Sequence, residues 1–161
     1  MDESRREPEK ASDRWWVVAQ VPLLALAVFL PLWFRIPARN RAERLVHGGG
    51  AALLLFGAGM VLAASISLGR QLTPFPRPRD HAHLREHGIY GLARHPLYGG
   101  LILATTGWSM WTLSWPGAVS VLLLGLFLDR KASYEEGWLT RRFDTYAGYR
   151  ERVRKLIPWI Y

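Results

Sequence analysis

The sequence predicts an all-α integral membrane protein with about four transmembrane helices, the last two forming a helical hairpin, followed by an amphipathic cytoplasmic C-terminal helix. Half of the 161 residues are hydrophobic, which excludes a disordered chain. The charges are unevenly distributed, because the segment from Leu97 to Leu128 contains no ionisable acid or base. A soluble domain of this length mixes charge through its helices. Long uncharged stretches instead indicate membrane spans, so we do not expect a soluble globular protein.

The first predicted span, residues 15–34, follows a polar N-terminal tail, residues 1–14. Gln20 is the only polar side chain of the span besides its tryptophans, and about 30 Å of helix is enough to cross one hydrocarbon layer. Pro22 and Pro31 lie near its two ends, where a helix best tolerates lost backbone hydrogen bonds. The basic start and cleavage site of a secretory signal are missing, so we expect this segment to be retained.

The second predicted span, residues 46–68, follows an arginine-rich turn over residues 35–44. Its twenty-three residues are again long enough to cross a bilayer. Gly59, Ala63 and Ser67 are spaced by four, which predicts a face of small residues for close helix packing.

The uncharged stretch from Leu97 to Leu128 is too long for one helix perpendicular to the membrane. The sequence Ser-Trp-Pro-Gly at residues 114–117 interrupts it, and proline followed by glycine favours a tight turn. We therefore predict a helical hairpin whose arms are residues 97–113 and 116–129.

The distribution of basic residues predicts the orientation of this single membrane domain, residues 15–161. Most of the 21 Lys and Arg residues lie in the N-terminal tail, the loop over residues 70–96 and the C-terminal region, and only four lie in the arginine-rich turn. Basic loops stay in the cytoplasm, so both termini are predicted to be cytoplasmic, in the inner or plasma membrane if the source is bacterial. Because these residues line membrane edges, we expect a lipid bilayer as partner and no nucleic acid, despite the net charge of +8.

Apolar residues at helical spacing predict the amphipathic helix, residues 130–158.

The chemistry-bearing residues flank the hairpin, so its folding would bring them together. In the segment Arg94-His95-Pro96-Leu97-Tyr98, Pro96 suits the first turn of a helix and Tyr98 follows His95 by three residues. The free backbone donors of such a helix start favour a carboxylate or phosphate. An ordinary helix start with Arg, His and Tyr as interface anchors explains the same pattern.

Glu135 and Glu136 lie just beyond the predicted membrane edge, among basic residues. They fit a solvated helix face with ordinary pairing between charges four residues apart. A carboxylate aimed at the hairpin mouth would instead bind an amino group, ribose hydroxyls or a sulfonium. The residues leave both interpretations open.

A metal site is the weaker possibility in the loop. His83 and His87 would share a helix face, with His81, Asp80 and Glu86 nearby. No second matching pair accompanies them, so we predict surface histidines and no metal. The absence of cysteine excludes disulfide scaffolds, thiolate metal sites and thiol nucleophiles.

The order of these motifs carries a family resemblance. A Thr-Pro-x-Pro-x-Pro loop from Thr73 precedes Leu84-x-x-x-Gly88-Ile-Tyr90, then Arg94-His95-Pro96-x-Tyr98-x-Gly100, the hairpin and Glu135-Glu136-x-x-Leu139-x-x-x-Phe143. In this order the segment from about Thr73 to Pro158 resembles the isoprenylcysteine carboxyl methyltransferase family and its phospholipid methyltransferase relatives. The resemblance implies a membrane enzyme that uses S-adenosylmethionine to methylate a lipid-like or isoprenylated carboxylate, amine or thiol.

The resemblance also implies site residues. The family's cofactor positions fall on His83, Leu84, Arg85, Tyr90, His95, Pro96, Leu97, Tyr98 and Glu135, to which we add the adjacent Glu136. The family's substrate arginine falls on Lys131, with Arg130 beside it, and a lysine lacks the bidentate fork that grips a carboxylate.

Methyl transfer requires the nucleophile and the methyl carbon to be held at near-attack distance. A carboxylate or thiolate acceptor needs no general base, whereas an amine must lose a proton, so His95 and Glu135 are the predicted catalytic residues.

Two other functions remain open. A membrane reductase would bind the 2′-phosphate of NADPH through Arg77, Arg79 and Arg85, and a non-enzymatic membrane or metal-binding protein would need neither cofactor.

Overall fold

Five α-helices make up most of the part of the chain that the structure, a computed structural model, describes: residues 3–77 and 83–161, with side chains from residue 13 onward. The helices are α1 (Glu3–Trp33), α2 (Arg41–Leu68), α3 (Pro96–Trp111), α4 (Trp115–Arg142) and α5 (Tyr146–Arg152). Within these residues the backbone forms no strand, only an isolated bridge between Ala93 and Arg154. The predicted all-α class is confirmed.

Helices α1 and α2 are long and apolar enough to cross a membrane. Only 11% of the apolar window of α1 and 17% of that of α2 is buried inside the molecule, whereas the core helix of a soluble protein would be mostly buried. Large apolar side chains such as Phe29, Leu55 and Ile66 are exposed. Exposed apolar surface on this scale requires an apolar surrounding, as a bilayer supplies.

Two helix boundaries differ from the predictions. Helix α1 is continuous from Glu3 and includes most of the predicted polar tail, and it passes through both Pro22 and Pro31. Helix α2 begins at Arg41, five residues before the predicted span. Asn40 explains this start, because its side chain accepts a hydrogen bond from the Glu43 backbone and the Glu43 side chain accepts one from the Asn40 backbone.

Helices α2 and α3 pack through glycines. A Cβ atom on Gly57 would lie 2.3 Å from the Ala104 nitrogen, and one on Gly107 would lie 2.3 Å from the Leu54 nitrogen. These are backbone atoms, so only glycine permits the close approach. The predicted packing face, Gly59, Ala63 and Ser67, is wrong: Gly59 has nothing within 4 Å of its would-be Cβ, and both it and Ala63 are exposed.

The predicted hairpin forms, with its turn three residues earlier than the Pro-Gly pair. Helix α3 ends at Trp111, and Leu113 adopts a positive φ of 53° in the turn. Ser114 caps α4 by accepting a hydrogen bond from the Gly117 backbone. Pro116 and Gly117 therefore lie in the first turn of α4, where a missing N–H costs little.

The C-terminal region is not the single helix predicted over residues 130–158. Helix α4 continues to Arg142, the backbone becomes extended at Phe143, and α5 follows over only seven residues. The break turns Tyr146 and Tyr149 inward, and the Tyr149 hydroxyl donates to the Tyr90 carbonyl at 2.6 Å. The gain from burying these rings accounts for the loss of helix continuity.

The last segment, residues 153–161, lies along the chain that leads into α3. The Arg94 and His95 backbone nitrogens donate to the carbonyls of Arg154 and Lys155 at 2.7 and 2.8 Å. A Cβ on Gly99 would lie 1.9 Å from the Leu156 oxygen, so this glycine is needed for the contact. We call residues 153–161 the C-terminal strap.

The two ends of the helix bundle are distinct. At one end the turn after α1 meets the hairpin turn, where the Ile36 nitrogen donates to the Thr112 oxygen at 3.0 Å. At the other end Asp13 contacts Arg77 and Tyr134, with an Arg77–Asp13 separation of 3.4 Å. The start of α1, the loop after α2 and the end of α4 therefore meet at the same end.

Candidate functional site

An open cavity of about 140 Å³ lies at the second end of the bundle, where the ends of α2 and α4 meet the start of α3 and α5. Leucines and tyrosines supply much of its wall, and His95, Arg94 and Glu135 add charge. The hairpin thus brings the start of α3 and the two glutamates of α4 together, as the sequence predicts.

His95 occupies the N-cap position of α3, and its ring contacts both glutamates. No side chain caps this helix, and Pro96 fills its first position. The His95 Nδ1 atom lies 3.4 Å from Glu135 Oε2, and its Nε2 atom lies 3.3 Å from Glu136 Oε1. The second contact lacks hydrogen-bond geometry, because Nε2 has no hydrogen-bond partner among the described residues. The ring stacks on Tyr98 with centroids 5.6 Å apart.

Arg94 holds Glu136 behind the cavity wall. Arg94 Nε donates to Glu136 Oε1 at 2.8 Å, and both side chains are more than nine-tenths buried. The Arg94 Nη1 atom donates to the carbonyl oxygens of Arg150 and Val153. This one guanidinium therefore joins the entrance of α3 to α4, α5 and the C-terminal strap.

The neighbouring charges shift two titrations in opposite directions. Burial alone would raise the pKa of Glu136, but the close approach of the His95 ring, the hydrogen bond from Arg94 and the charges of both lower it to about 2. Burial alone would lower the pKa of His95, but its close contacts with the Glu135 and Glu136 carboxylates and their negative charges raise it above its usual value. The cluster thus favours an ionised Glu136 beside a protonated His95.

Most predicted cofactor residues line the cavity. They are His83, Leu84, Arg85, Tyr90, His95, Leu97, Tyr98 and Glu135. Pro96 and Glu136 do not: Pro96 is buried at the start of α3, and Glu136 faces Arg94 and a separate groove on the other side. That these residues bind a cofactor stays a prediction, and Glu136 contacts Arg94 and His95 instead of the cavity.

The predicted substrate residues do not reach the cavity. Lys131 is 1% exposed, and its Nζ atom donates to the Gln20 side chain and, at 2.8 Å, to the Pro74 carbonyl. This lysine therefore ties α4 to α1 and to the proline-rich loop. Arg130 is exposed and lines neither the cavity nor the groove behind it. The structure thus offers no support for carboxylate binding by either residue.

The histidines of the loop do not share a helix face. Residues 83–87 are not helical, and the chain forms a short 3₁₀ turn only over Gly88–Gly91. His83 lines the cavity, whereas His87 does not. The described residues contain no group of three or more potential metal ligands, and His81 and Asp80 lie outside them.

The sequence analysis did not predict nine of the lining residues as site residues: Leu68, Gln71, Leu72, Thr73, Arg94, Leu139, Phe143, Tyr146 and Tyr149. Leu139, Phe143 and Tyr146 were interpreted as part of the apolar stripe of an amphipathic helix. In the sequence, the pair Tyr146 and Tyr149 could have indicated that this stretch is not an ordinary apolar stripe, since buried tyrosines need a partner for their hydroxyls.

Comparisons with known proteins agree with the family resemblance. A family model described as phospholipid methyltransferase matches residues 45–146, which include most of the cavity wall. Protein-S-isoprenylcysteine O-methyltransferase A of Arabidopsis thaliana is 29% identical over 119 residues, covering 71% of this chain and 60% of that protein. A probable protein-S-isoprenylcysteine O-methyltransferase of Oryza sativa subsp. indica is 29% identical over 115 residues, covering 69% and 60%. The chain thus spans about 60% of the length of the curated relatives it matches.

Proposed function

Because the chain belongs to the phospholipid methyltransferase family, we propose that it transfers a methyl group from S-adenosylmethionine to a lipid-like or isoprenylated acceptor at the cytoplasmic membrane face. The observation that carries the proposal is the convergence of three separate segments on one cavity. His83–Arg85, the His95–Tyr98 entrance of α3 and Glu135 all line it. Polar groups that converge on one cavity from separate segments are typical of small-molecule sites.

The chemistry of the lining fits this cofactor. The Glu135 carboxylate and the His95–Glu135 contact offer charged partners, and aromatic walls suit an adenine ring. When bound, S-adenosylmethionine supplies an activated methyl group. The residues of the chain then need only bind, orient and exclude water.

His95 and Glu135 take different roles in this proposal. The raised pKa of His95 favours the protonated ring, which has no free nitrogen to accept another proton. We assign His95 to orienting Glu135 and to binding. With an amine acceptor, Glu135 is the group that removes the proton.

The acceptor approaches from the membrane in this proposal. Leu68, Leu72 and Leu97 form an apolar side of the cavity, and Leu72 is partly exposed beside Phe75. Both hairpin arms cross the bilayer with α1 and α2, and the charged end that contains the cavity faces the cytoplasm together with both termini. An amphiphile would then keep its tail in lipid while its reactive group enters the cavity.

Binding of S-adenosylhomocysteine and NADPH to the purified full chain tests the proposal. We expect S-adenosylhomocysteine to bind and NADPH not to, since of the two described reductase arginines only Arg85 lines the cavity, while Arg77 stacks on Trp138. His95→Ala and Glu135→Ala should each weaken binding about tenfold, as loss of a charge-assisted contact does. The exposed Arg130→Ala is the matched control.

A labelled-methyl transfer assay then identifies the acceptor among isoprenylated carboxylates, phospholipid amines and amphiphilic thiols. Binding of NADPH alone by the wild-type chain would support a reductase. Unchanged S-adenosylhomocysteine binding in both alanine variants would refute the residue assignments.

A further inference from the structure

The arginine-rich turn, residues 35–44, carries positive charge that the protein itself does not balance. Glu43 is the only acid between residues 15 and 68, and residues 97–128 contain no Asp, Glu, Lys or Arg. Four positive charges against one negative charge therefore leave this end of the bundle with a net charge of +3. Within the described part of the chain, none of the four arginines forms an ion pair within 4 Å. All four are exposed: Arg35, Arg39, Arg41 and Arg44.

The single acid of the turn is already engaged by the backbone. The Glu43 carboxylate accepts hydrogen bonds from the Arg39 and Asn40 nitrogens, as part of the cap that begins α2. The guanidinium carbon of Arg35 lies 5.9 Å from the centre of the Trp111 ring, which is within the range of a cation–π contact. An aromatic ring leaves the charge of the guanidinium in place. The turn thus presents most of its positive charge to its surroundings.

The turn lies at the level where lipid headgroups would surround it. The Ile36 nitrogen donates to the Thr112 oxygen, so the turn meets the hairpin turn, where two uncharged arms end. Trp33 is 85% exposed and Trp115 is 72% exposed at this end. Exposed tryptophans at the ends of apolar helices are typical of the boundary between hydrocarbon and water. The arginines follow Trp33 directly in the chain, so they reach the same boundary.

We propose that the arginine-rich turn binds anionic phospholipids through their phosphate groups. A guanidinium donates two parallel hydrogen bonds to phosphate oxygens, which holds a headgroup in a defined position. A headgroup with a net negative charge fits better than a zwitterionic one, because the net charge of +3 needs negative charge to balance it.

This surface lies at the end of the bundle opposite the cavity, so the inference goes beyond the proposed function and does not require methyl transfer. It also explains how arginines are accommodated on the side of the membrane that basic loops usually avoid in the proposed orientation. Anionic headgroups balance their charge there.

Thermal unfolding of the full chain in mixed micelles tests the inference. Phosphatidylglycerol titrated into a constant background of phosphatidylcholine should raise the wild-type midpoint until it saturates, because a ligand of the folded state stabilises it. The triple variant Arg39→Gln, Arg41→Gln and Arg44→Gln should need about 100-fold more phosphatidylglycerol for the same shift, since each basic residue near an anionic surface contributes about fivefold in affinity. Higher ionic strength should weaken the wild-type response.

A second triple variant removes the same charge from the other end of the bundle. Arg14, Arg130 and Arg154 are also exposed, and none forms an ion pair within 4 Å with a described residue. Their joint replacement by glutamine should leave the response to phosphatidylglycerol close to that of the wild type. Each variant is compared with its own midpoint in phosphatidylcholine alone, so that a change in basal stability does not count as a change in binding.

Four results would overturn the inference. A shift no larger than the same amount of added phosphatidylcholine produces would exclude a preference for anionic headgroups and leave the turn to another acidic partner, such as a protein segment. A wild-type response in the first triple variant would place the lipid elsewhere, and an equal loss in both triple variants would show a general effect of net charge. The same shift with glycerol phosphate would show a site for free phosphate instead of a lipid.

Discussion

The Arg94 side chain joins parts of the chain that are distant in sequence, and it does so next to the candidate site. Its guanidinium binds Glu136 and two backbone carbonyls in α5 and the C-terminal strap. Three bonds in different directions require the planar fork of arginine, which lysine lacks. The Arg-His dipeptide thus combines a structural residue with a cavity residue.

Arg94→Ala should lower the free energy of unfolding by about 3 kcal/mol, because it leaves the Glu136 carboxylate buried without its main partner. Arg94→Lys should recover only part of this loss. Chemical unfolding of the purified protein in detergent measures the effect, with Arg130→Ala as an exposed control expected to change it by less than about 0.5 kcal/mol. Equal stability of Arg94→Ala and the control would contradict the structural role.

The lowered pKa of Glu136 predicts a pH dependence of stability. In the unfolded chain this carboxyl titrates near its ordinary value of 4.5, and in the folded protein near 2. Its contribution to stability is therefore fully present above pH 4.5 and is lost as the pH falls towards 2. Glu136→Gln should flatten this acid limb in thermal midpoints measured between pH 2 and 6. Parallel wild-type and variant curves would argue against the shift.

At the scale of elements, the glycines of α2 decide how closely α3 approaches. Gly57 and Gly59 lie two residues apart on the same helix but face different surroundings. A Cβ on Gly57 would meet backbone atoms of Gly100 and Ala104 within 2.6 Å, whereas one on Gly59 would meet nothing. Spacing by four residues identifies a small-residue face in sequence but does not say which face meets a neighbour.

Gly57→Ala should destabilise the protein by about 2 kcal/mol, because the helices must separate to admit the methyl group. Gly59→Ala, its matched control, should be neutral or stabilise by up to about 1 kcal/mol, since alanine favours helix more than glycine does. Thermal unfolding in detergent compares them. A loss of stability in Gly59→Ala as large as in Gly57→Ala would contradict the assignment of the Gly57 face to the contact with α3.

At the scale of the whole molecule, the C-terminal strap links α4 to the start of α3 beside the site. Lys155 binds the Asp129 carboxylate, the Asp129 carbonyl at 3.0 Å and the Ser133 hydroxyl at 2.8 Å. Its own carbonyl accepts from the His95 nitrogen. The position of His95 therefore depends on a residue sixty positions later in the chain.

Lys155→Ala should weaken S-adenosylhomocysteine binding severalfold and lower stability by about 2 kcal/mol, because the strap loses its charged anchor on α4. Arg154→Ala is the control: its side chain is exposed, and its carbonyl still accepts from the Arg94 nitrogen. Titration and unfolding of both variants measure the difference. Wild-type binding in Lys155→Ala would show that the strap does not position His95.

Most of the helices could be predicted from the local composition of the sequence. The two long apolar helices and the hairpin were predictable because uninterrupted apolar runs and a Ser-Trp-Pro-Gly interruption are properties of neighbouring residues. The break after Arg142 was not, because the stripe of apolar residues continues through it. What ends α4 is the burial of Tyr146 and Tyr149 against the chain before α3, a contact between distant segments.

For the candidate site too, some features followed from the sequence and others only from the tertiary structure. The amino-acid sequence by itself determined the helical class, the two apolar helices and eight of the seventeen residues that line the cavity, since each follows from side-chain polarity or from an ordered motif. Only the tertiary structure decided that Lys131 is bound to Gln20 and Pro74, that Glu136 lies behind the wall, and that the buried Tyr146 is one of the lining residues. The physical reason is that a side chain's partner depends on which faces pack together, and backbone contacts at Gly57, Gly99 and Gly107 set that packing.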